Sequence, residues 1–158
     1  METQLKILNQ EQIASKVASW KKTGTKTVFT NGCFDILHLG HIDYLEKAAE
    51  MGDKLIVAIN TDTSVKKLKG ASRPINNEIA RARLLAALAF VDAVTFFSED
   101  TPIKLITRLL PDVLIKGSDY EIGNIVGADI VLQNGGSVET IALVEGYSTS
   151  QIIKQIKA

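Results

Sequence analysis

Apolar positions along the 158-residue chain change period repeatedly, from continuous or alternating runs to helical spacing and back. "KTVFTN", "KLIVAIN", "DAVTFF", "DVLIKG" and "SVETIALV" are short apolar or β-branched runs and read as strands. The segments between them carry helical spacing. "QEQIASKVASWKKTG" predicts a helix that stops at Gly24. "HIDYLEKAAEMG" predicts one with Ile42, Leu45 and Ala49 on a single face and Gly52 at its end. "NEIARARLLAALAF" predicts a long helix, and "TPIKLITRLL" one with Pro102 in its first turn. "NIVGADIVLQNGG" predicts a helix ended by glycines, and "STSQIIKQIKA" closes the chain as a helix. "NTDTSVKKLKGASRPIN", after the second strand, reads as a basic loop.

Strands alternating with amphipathic helices predict an α/β fold: one Rossmann-like, doubly wound parallel sheet with helices on both faces. No composition shift marks a domain boundary. Residues 1–24 read as a helical extension that packs on the core or on a partner, and residues 25–158 as the core. Open sheets of this kind bind ligands at the carboxyl ends of strands, where strand order reverses. The chemically rich segments Thr30 to His41, Asn60 to Asp62, Lys116 to Tyr120 and Glu145 to Ser150 all follow strands.

Composition narrows the function classes. Hydrophobic residues make up 46% of the chain, enough for a core without disulfides. Cys33 is the single cysteine, which excludes an internal disulfide and a multi-cysteine zinc site and suits a reducing cytoplasm. Cys33 itself reads as a small packed residue. Eighteen basic residues balance eighteen acidic ones, so nothing supports broad nucleic-acid binding and any anion site must be local. No stretch has signal-peptide or membrane-spanning character, and a cytoplasmic protein without membrane contact is expected.

The only two histidines, His38 and His41, stand three apart in "TNGCFDILHLGH", directly after the first core strand. GxGxxG and GxxxxGK[ST] are both absent, so neither the dinucleotide fingerprint nor the usual phosphate loop applies. Two histidines at this spacing where a helix opens can point to one side, and Gly40 lets an anion approach the backbone. The helix N-terminus adds partial positive charge and free N–H donors. A phosphate site follows, against two alternatives: zinc ligands with Asp35 as third, or an incidental pair. Near the end of the chain, "EGYSTSQII" puts Ser148, Thr149 and Ser150 before an apolar helical pattern. An N-cap needs only one of the three hydroxyls; together with the histidine turn they read as the other jaw of a triphosphate clamp.

"GCFDILHLGH" resembles the HxGH signature of the nucleotidyltransferase superfamily, which includes cytidylyltransferases, and "GYSTS" resembles its Ser/Thr-rich second motif. The resemblance implies that His38, His41 and one lysine of Lys66, Lys67 and Lys69, favouring Lys69, are catalytic. It implies nucleotide binding by Thr30, Asn31, Gly32, Phe34, Asp35 and Gly40 and by Lys116, Gly117, Asp119 and Tyr120. Glu145, Tyr147, Ser148, Thr149 and Ser150 complete that set. Asp62 and Arg81 are implied for the acceptor, with Arg81 favoured over Arg73 and Arg83 left on the surface. Magnesium would enter with ATP, and the protein would hold no metal of its own.

"LKGASRPIN", "LLAAL", "EDTP", "PDVLIKGSDY" and "VEGYSTSQII" narrow the likeness to the adenylyltransferases of bacterial ADP-heptose synthesis, over about Lys26 to Lys157. These join AMP to D-glycero-β-D-manno-heptose 1-phosphate and are often fused to a heptokinase, so a stand-alone homodimer is the implied form. Departures are Ser118 in a "GGDY" motif, Ile79-Ala80 in place of an acidic pair, and Ser150 where "STT" is usual. Glycerol 3-phosphate with CTP, flavin mononucleotide with ATP, and a non-catalytic nucleotide-binding module stay open as alternatives.

Overall fold

The structure is a computed structural model that describes residues 3–158. Five strands form one parallel sheet in the order β3-β2-β1-β4-β5: β1 Thr27–Gly32, β2 Lys54–Asn60, β3 Ala93–Phe97, β4 Val113–Gly117 and β5 Ser137–Ile141. The chain winds outward from β1 through β2 to β3, then returns to the other side of β1 for β4 and β5. Strand order thus reverses between β1 and β4. This is the doubly wound arrangement read from the sequence.

Successive strand residues face opposite sides and build two cores. Val28, Leu55, Val57, Ile59, Val113 and Ile115 face one core; Phe29, Ile56, Ala58 and Leu114 face the other. The first core is closed by α2 (Leu39–Ala49) and α4 (Glu78–Ala86), through Tyr44, Leu45, Ala82 and Leu85. The second is closed by α1 (Gln10–Lys22), α5 (Ile103–Leu109) and α6 (Ala128–Gln133), through Ile13, Val17, Leu105, Ile106 and Val131. Beneath the sheet, carboxylates fasten the strand entries: Asp112 accepts from the Thr27 N–H and hydroxyl at 2.7 Å, and Asp92 from the Leu55 N–H at 2.9 Å.

Several elements differ from their sequence expectation. The expected basic loop is a helix, α3 (Asp62–Lys69), started by the Thr61 side chain accepting from the Ser64 N–H and anchored by buried Val65. Its three lysines sit in the last turn, where they complement the helix dipole. The long helix of "NEIARARLLAALAF" stops at Ala86. The helix expected from "NIVGADIVLQNGG" is divided: a 3₁₀ turn spans Ile122–Asn124, and α6 starts only after Gly127, whose φ of +85° breaks the helix. β5 ends at Ile141 rather than Val144, because its partner β4 ends at Gly117 and no ladder continues. The last helix, α7, spans Thr149–Lys157.

The N-terminal segment packs on the core. Met1 and Glu2 lie outside the described residues; the chain from Thr3 onward lies along edge strand β3, with the Leu8 N–H on the Val94 carbonyl at 2.9 Å and a bridge from Ile7 to Val94. That contact covers a sheet edge. Ile13 is fully buried within the second core. Ile13→Ala is therefore expected to cost roughly 2–5 kcal/mol of unfolding free energy, measured by urea denaturation. A loss under about 0.5 kcal/mol, the scale of surface changes, would mean that α1 is peripheral to the fold.

Candidate active site

β1 ends at the reversal point and runs into a tight turn. Phe34 takes a left-handed conformation, φ +47°, and its ring is buried. A bulky residue there carries strain of roughly 1–2 kcal/mol. The turn delivers His38 as the N-cap of α2 and His41 to its first turn. The two imidazoles stack with centroids 3.7 Å apart, and the Phe34 ring meets His41 edge-on at 5.1 Å. Gly40 makes this possible, since a Cβ there would stand 3.1 Å from His38 Nδ1. Both Nδ1 atoms are buried without a partner among the described residues.

Burial lowers the pKa of both histidines, that of His41 to about 4 with the neighbouring His38 adding to the fall. The pair is therefore neutral at pH 7. Each ring keeps one N–H donor but brings no charge.

Across the reversal point stands Lys116, at the end of β4. Its Nζ donates to Asn31 Oδ1 at 2.6 Å and lies 5.7 Å above the Tyr120 ring. Burial pulls its pKa down to about 8, although Asp119 works in the opposite direction. Gly117 follows; a Cβ there would lie 2.5 Å from Asp119 Oδ1, so a larger residue would displace the Asp119 side chain.

The third wall is the start of α7. Ser148 is the N-cap, accepting from the Gln151 N–H at 3.1 Å. Thr149 Oγ1 reaches the Ile36 carbonyl at 3.5 Å, and Thr149 and Ser150 face the site without being needed as caps.

These walls enclose two adjoining cavities. One, of about 330 Å³, is bounded by His38, Gly40, Gly117, Asp119, Tyr147 and Ser148. The other, of about 500 Å³, extends toward β2 and β3 and is bounded by Lys69, Arg73, Asp35 and Ser150. Asn31, Gly32, Phe34, His41, Lys116 and Thr149 belong to the wall common to both. Of the three lysines considered, only Lys69 lines a cavity. Cys33 lies in the common wall, its thiol pKa raised by burial.

Four expected residues sit elsewhere. Thr30 is fully buried beneath the turn and bonds the Tyr44 hydroxyl at 2.7 Å. Glu145 is exposed in a turn and lines neither cavity. Arg81 does not offer a free fork to a ligand. Its guanidinium has no exposed surface and donates to Asp62 Oδ1 at 2.7 Å, to the Cys33 carbonyl at 2.7 Å and to the Asn76 carbonyl at 3.0 Å. Asp62 is occupied by the same pair. The two tie α3 and α4 to the histidine turn.

Asp35, a possible zinc ligand and an expected nucleotide-binding residue in the sequence, is likewise engaged. It accepts from Arg73 Nε at 2.5 Å, from the Ile75 N–H at 2.8 Å and from the Asn76 N–H at 2.9 Å. Burial would raise its pKa, but those N–H groups and Arg73 outweigh it and hold the carboxyl below its ordinary range. Among the described residues, no group of three or more His, Cys, Asp or Glu side chains is placed to hold a metal ion.

Asn60, in the strand-end segment read from the sequence, lines the larger cavity; sequence reasoning missed Asp100, Thr101 and Asn124, which line it too. Asp100 and Thr101 follow β3, so the strand-end rule applied to "FFSEDTP" points to them; Asn124 lies in the 3₁₀ turn and carries no such signal.

Residues 29–155 match the cytidylyltransferase-like family model. The chain is 52% identical over 99% of its length to the bifunctional protein HldE of Haemophilus ducreyi, covering 33% of that protein. It is 55% identical over 96% of its length to that of Campylobacter jejuni subsp. jejuni, covering 32%. It thus spans about a third of the length of the curated relatives it matches. Among solved structures it is similar to the lipopolysaccharide core biosynthesis protein of Thermoplasma volcanium, with 30% identity, a TM-score of 0.61, and coverage of 79% of this chain and 100% of that one. Pantoate-beta-alanine ligase of Francisella tularensis shares the fold at 17% identity, TM-score 0.60, over 96% of this chain and 76% of that one. Among the described residues no helix is long and apolar enough to cross a membrane. With about four fifths of its length matched by the family model, and the histidine turn and the hydroxyl-bearing helix start facing one crevice, the chain belongs to the cytidylyltransferase-like family.

Proposed function

We propose that this chain is an adenylyltransferase that moves AMP from ATP to a sugar 1-phosphate, D-glycero-β-D-manno-heptose 1-phosphate, with release of pyrophosphate. The observation that carries the reading is the stacked His38–His41 pair facing Ser148 and Thr149 across a cavity wide enough for a nucleotide. Identity to the HldE proteins at about half of all positions, and the "RPIN" and "KGSDY" stretches, support the heptose phosphate as acceptor. The same resemblance implies a cytoplasmic homodimer, which light scattering measures.

In this mechanism an acceptor phosphate oxygen attacks the α-phosphorus in line. The new P–O bond forms as the bond to the bridging oxygen breaks, and pyrophosphate leaves with that electron pair. The second pKa of a phosphate monoester is about 6, so the nucleophile is already anionic and needs no general base. The neutral histidines each donate one N–H to phosphate oxygens. Positive charge comes from Lys116 in the common wall and from Lys69 at the end of α3. Ser148, Thr149 and Ser150 hold the β- and γ-phosphates. Leu143, Tyr120 and Tyr147 give the smaller cavity apolar surface for the base. With Asp35 engaged by Arg73 and the loop N–H groups, the residues fit a magnesium ion held chiefly by the triphosphate and its own waters. That ion would supply charge neutralisation on the phosphates.

The direct test is a matrix of nucleoside triphosphates against phosphorylated acceptors, read by pyrophosphate release. ATP with the heptose phosphate is expected to give the highest kcat/KM. Turnover of CTP with glycerol 3-phosphate, or of ATP with flavin mononucleotide, would reassign the substrate, and binding without turnover would leave only a nucleotide-binding module. His41→Ala is expected to lower kcat roughly 100- to 1,000-fold while leaving thermal unfolding unchanged; a near-normal kcat would remove the histidines from the chemistry.

The pH dependence follows from the same groups. kcat/KM should rise through about pH 6 as the acceptor's phosphate loses its second proton. It should fall above about 8, where Lys116 loses the charge the transition state needs. Lys116→Arg, whose guanidinium stays charged beyond pH 12, is expected to remove the falling limb. An unchanged profile in that variant would show that another group sets it.

A further inference from the structure

The larger cavity has a charged end that nucleotide binding does not use. Arg73 lies at its edge with only 14% of its side chain exposed, against Asp35 with none. Their contact is through Nε, and among the described residues neither Nη is engaged. A guanidinium held by Nε has its orientation set in advance while its two outer nitrogens stay available for a bidentate grip on phosphate. Asp35 cannot swing away, because the Ile75 and Asn76 N–H groups hold both its oxygens and its own carbonyl accepts from Asn76 Nδ2 at 2.7 Å. The loop that carries Arg73 is in turn fastened to the core by Arg81 on the Asn76 carbonyl.

Charge and lining define what this end takes. Arg73 and Asp35 nearly cancel, as do Lys69 and Asp100, so Lys116 in the shared wall leaves the cavity net positive. Beyond the cations the wall carries Asn60, Asp100, Thr101 and Asn124, a carboxylate, two amides and a hydroxyl, the groups that bind vicinal hydroxyls. We infer that this end is the acceptor subsite, taking a polyhydroxylated phosphate monoester. Arg73, positioned by Asp35, grips the phosphate, and Asp100, Thr101 and Asn124 receive the hydroxyls. This rests on the transfer reaction proposed above and assigns to Arg73 the role that the family resemblance implied for Arg81.

The test uses the full chain with ATP and D-glycero-β-D-manno-heptose 1-phosphate, read by pyrophosphate release and by calorimetric binding of that sugar phosphate beside a non-hydrolysable ATP analogue. Arg73→Gln should raise the acceptor KM and weaken sugar-phosphate binding roughly 10- to 100-fold, with the ATP KM within about twofold of the parent. Arg73→Lys should recover little, because a point charge cannot replace the fork. Asp35→Asn should raise the acceptor KM without changing the ATP KM. Thr101→Ala and Asn124→Ala should weaken heptose phosphate more than glycerol 3-phosphate. Retained binding of the ATP analogue shows that each variant is folded. The inference is overturned if Arg73→Gln leaves acceptor binding intact, or if ATP binding falls instead. If the parent protein turns over no acceptor but binds the sugar phosphate through Arg73, the transfer reaction fails and the subsite stands.

Discussion

Strands β1 and β4 pair only through Val28 with Val113 and Phe29 with Leu114, whereas β1 and β2 pair along six positions. Every other feature of the site is placed by where that short ladder stops. Beyond Phe29 the two strands form no further residue pairs, and the gap at their carboxyl ends becomes the crevice that a doubly wound sheet offers at its reversal point. The Lys116 side chain spans it, its Nζ donating to Asn31 Oδ1 and to the Asn31 carbonyl. The histidine turn leaves from one lip and the Gly117 turn from the other. α7 closes the mouth. Had the ladder continued by two residues, Asn31 and Lys116 would face each other as strand neighbours and no cavity would separate them.

Burial then decides what each charged group can do. The stacked imidazoles are desolvated and close together, which keeps them neutral, so in the proposed reaction they would serve as neutral donors and lysines would supply the positive charge. The two arginines show the same division. Arg81, without exposed surface and with three acceptors around it, fastens α3, α4 and the histidine turn together. Breaking such a pair leaves an uncompensated buried charge, so it serves as a strut. Arg73, partly exposed and held only through Nε, keeps its donors for the cavity.

The layer order and the two phosphate-facing segments were legible in the sequence because both rest on local signals. Short continuous apolar runs rich in β-branched residues, such as "KLIVAIN", separate from the longer helical segments by length and residue type. A histidine pair or a run of hydroxyls at a helix start depends only on neighbouring residues. Helix α3 was hidden because three lysines outweigh Val65 and Leu68 in any hydropathy reading, and the fold supplies the missing stabilisation through the Thr61 cap and the buried Val65. The exchange of roles between Arg73 and Arg81 was illegible for a different reason. Spacing places Arg81 on a helix near the site, but only the packed structure shows that its face turns into the core while Arg73 lies on the cavity side. The same holds for Asp35, whose engagement depends on Arg73, Ile75 and Asn76, some forty residues away.

The two jaws of the crevice are anchored unequally. α2 buries Gly40, Tyr44, Leu45 and Ala48, and its first residues are fixed by the stacked rings and the strained Phe34. α7 buries no residue along its nine positions, and the Thr149 hydroxyl on the Ile36 carbonyl is its one side-chain hydrogen bond to another element among the described residues. In the proposed transfer, geometry at the reacting phosphorus would therefore be referenced to the histidine jaw and to Lys116, which rest on the sheet. The hydroxyl jaw conforms to what lies between. For an in-line displacement this is the useful division. In the proposed transfer, the atoms that must be placed within fractions of an ångström would face the rigid wall, and the leaving group would lie against the less anchored element.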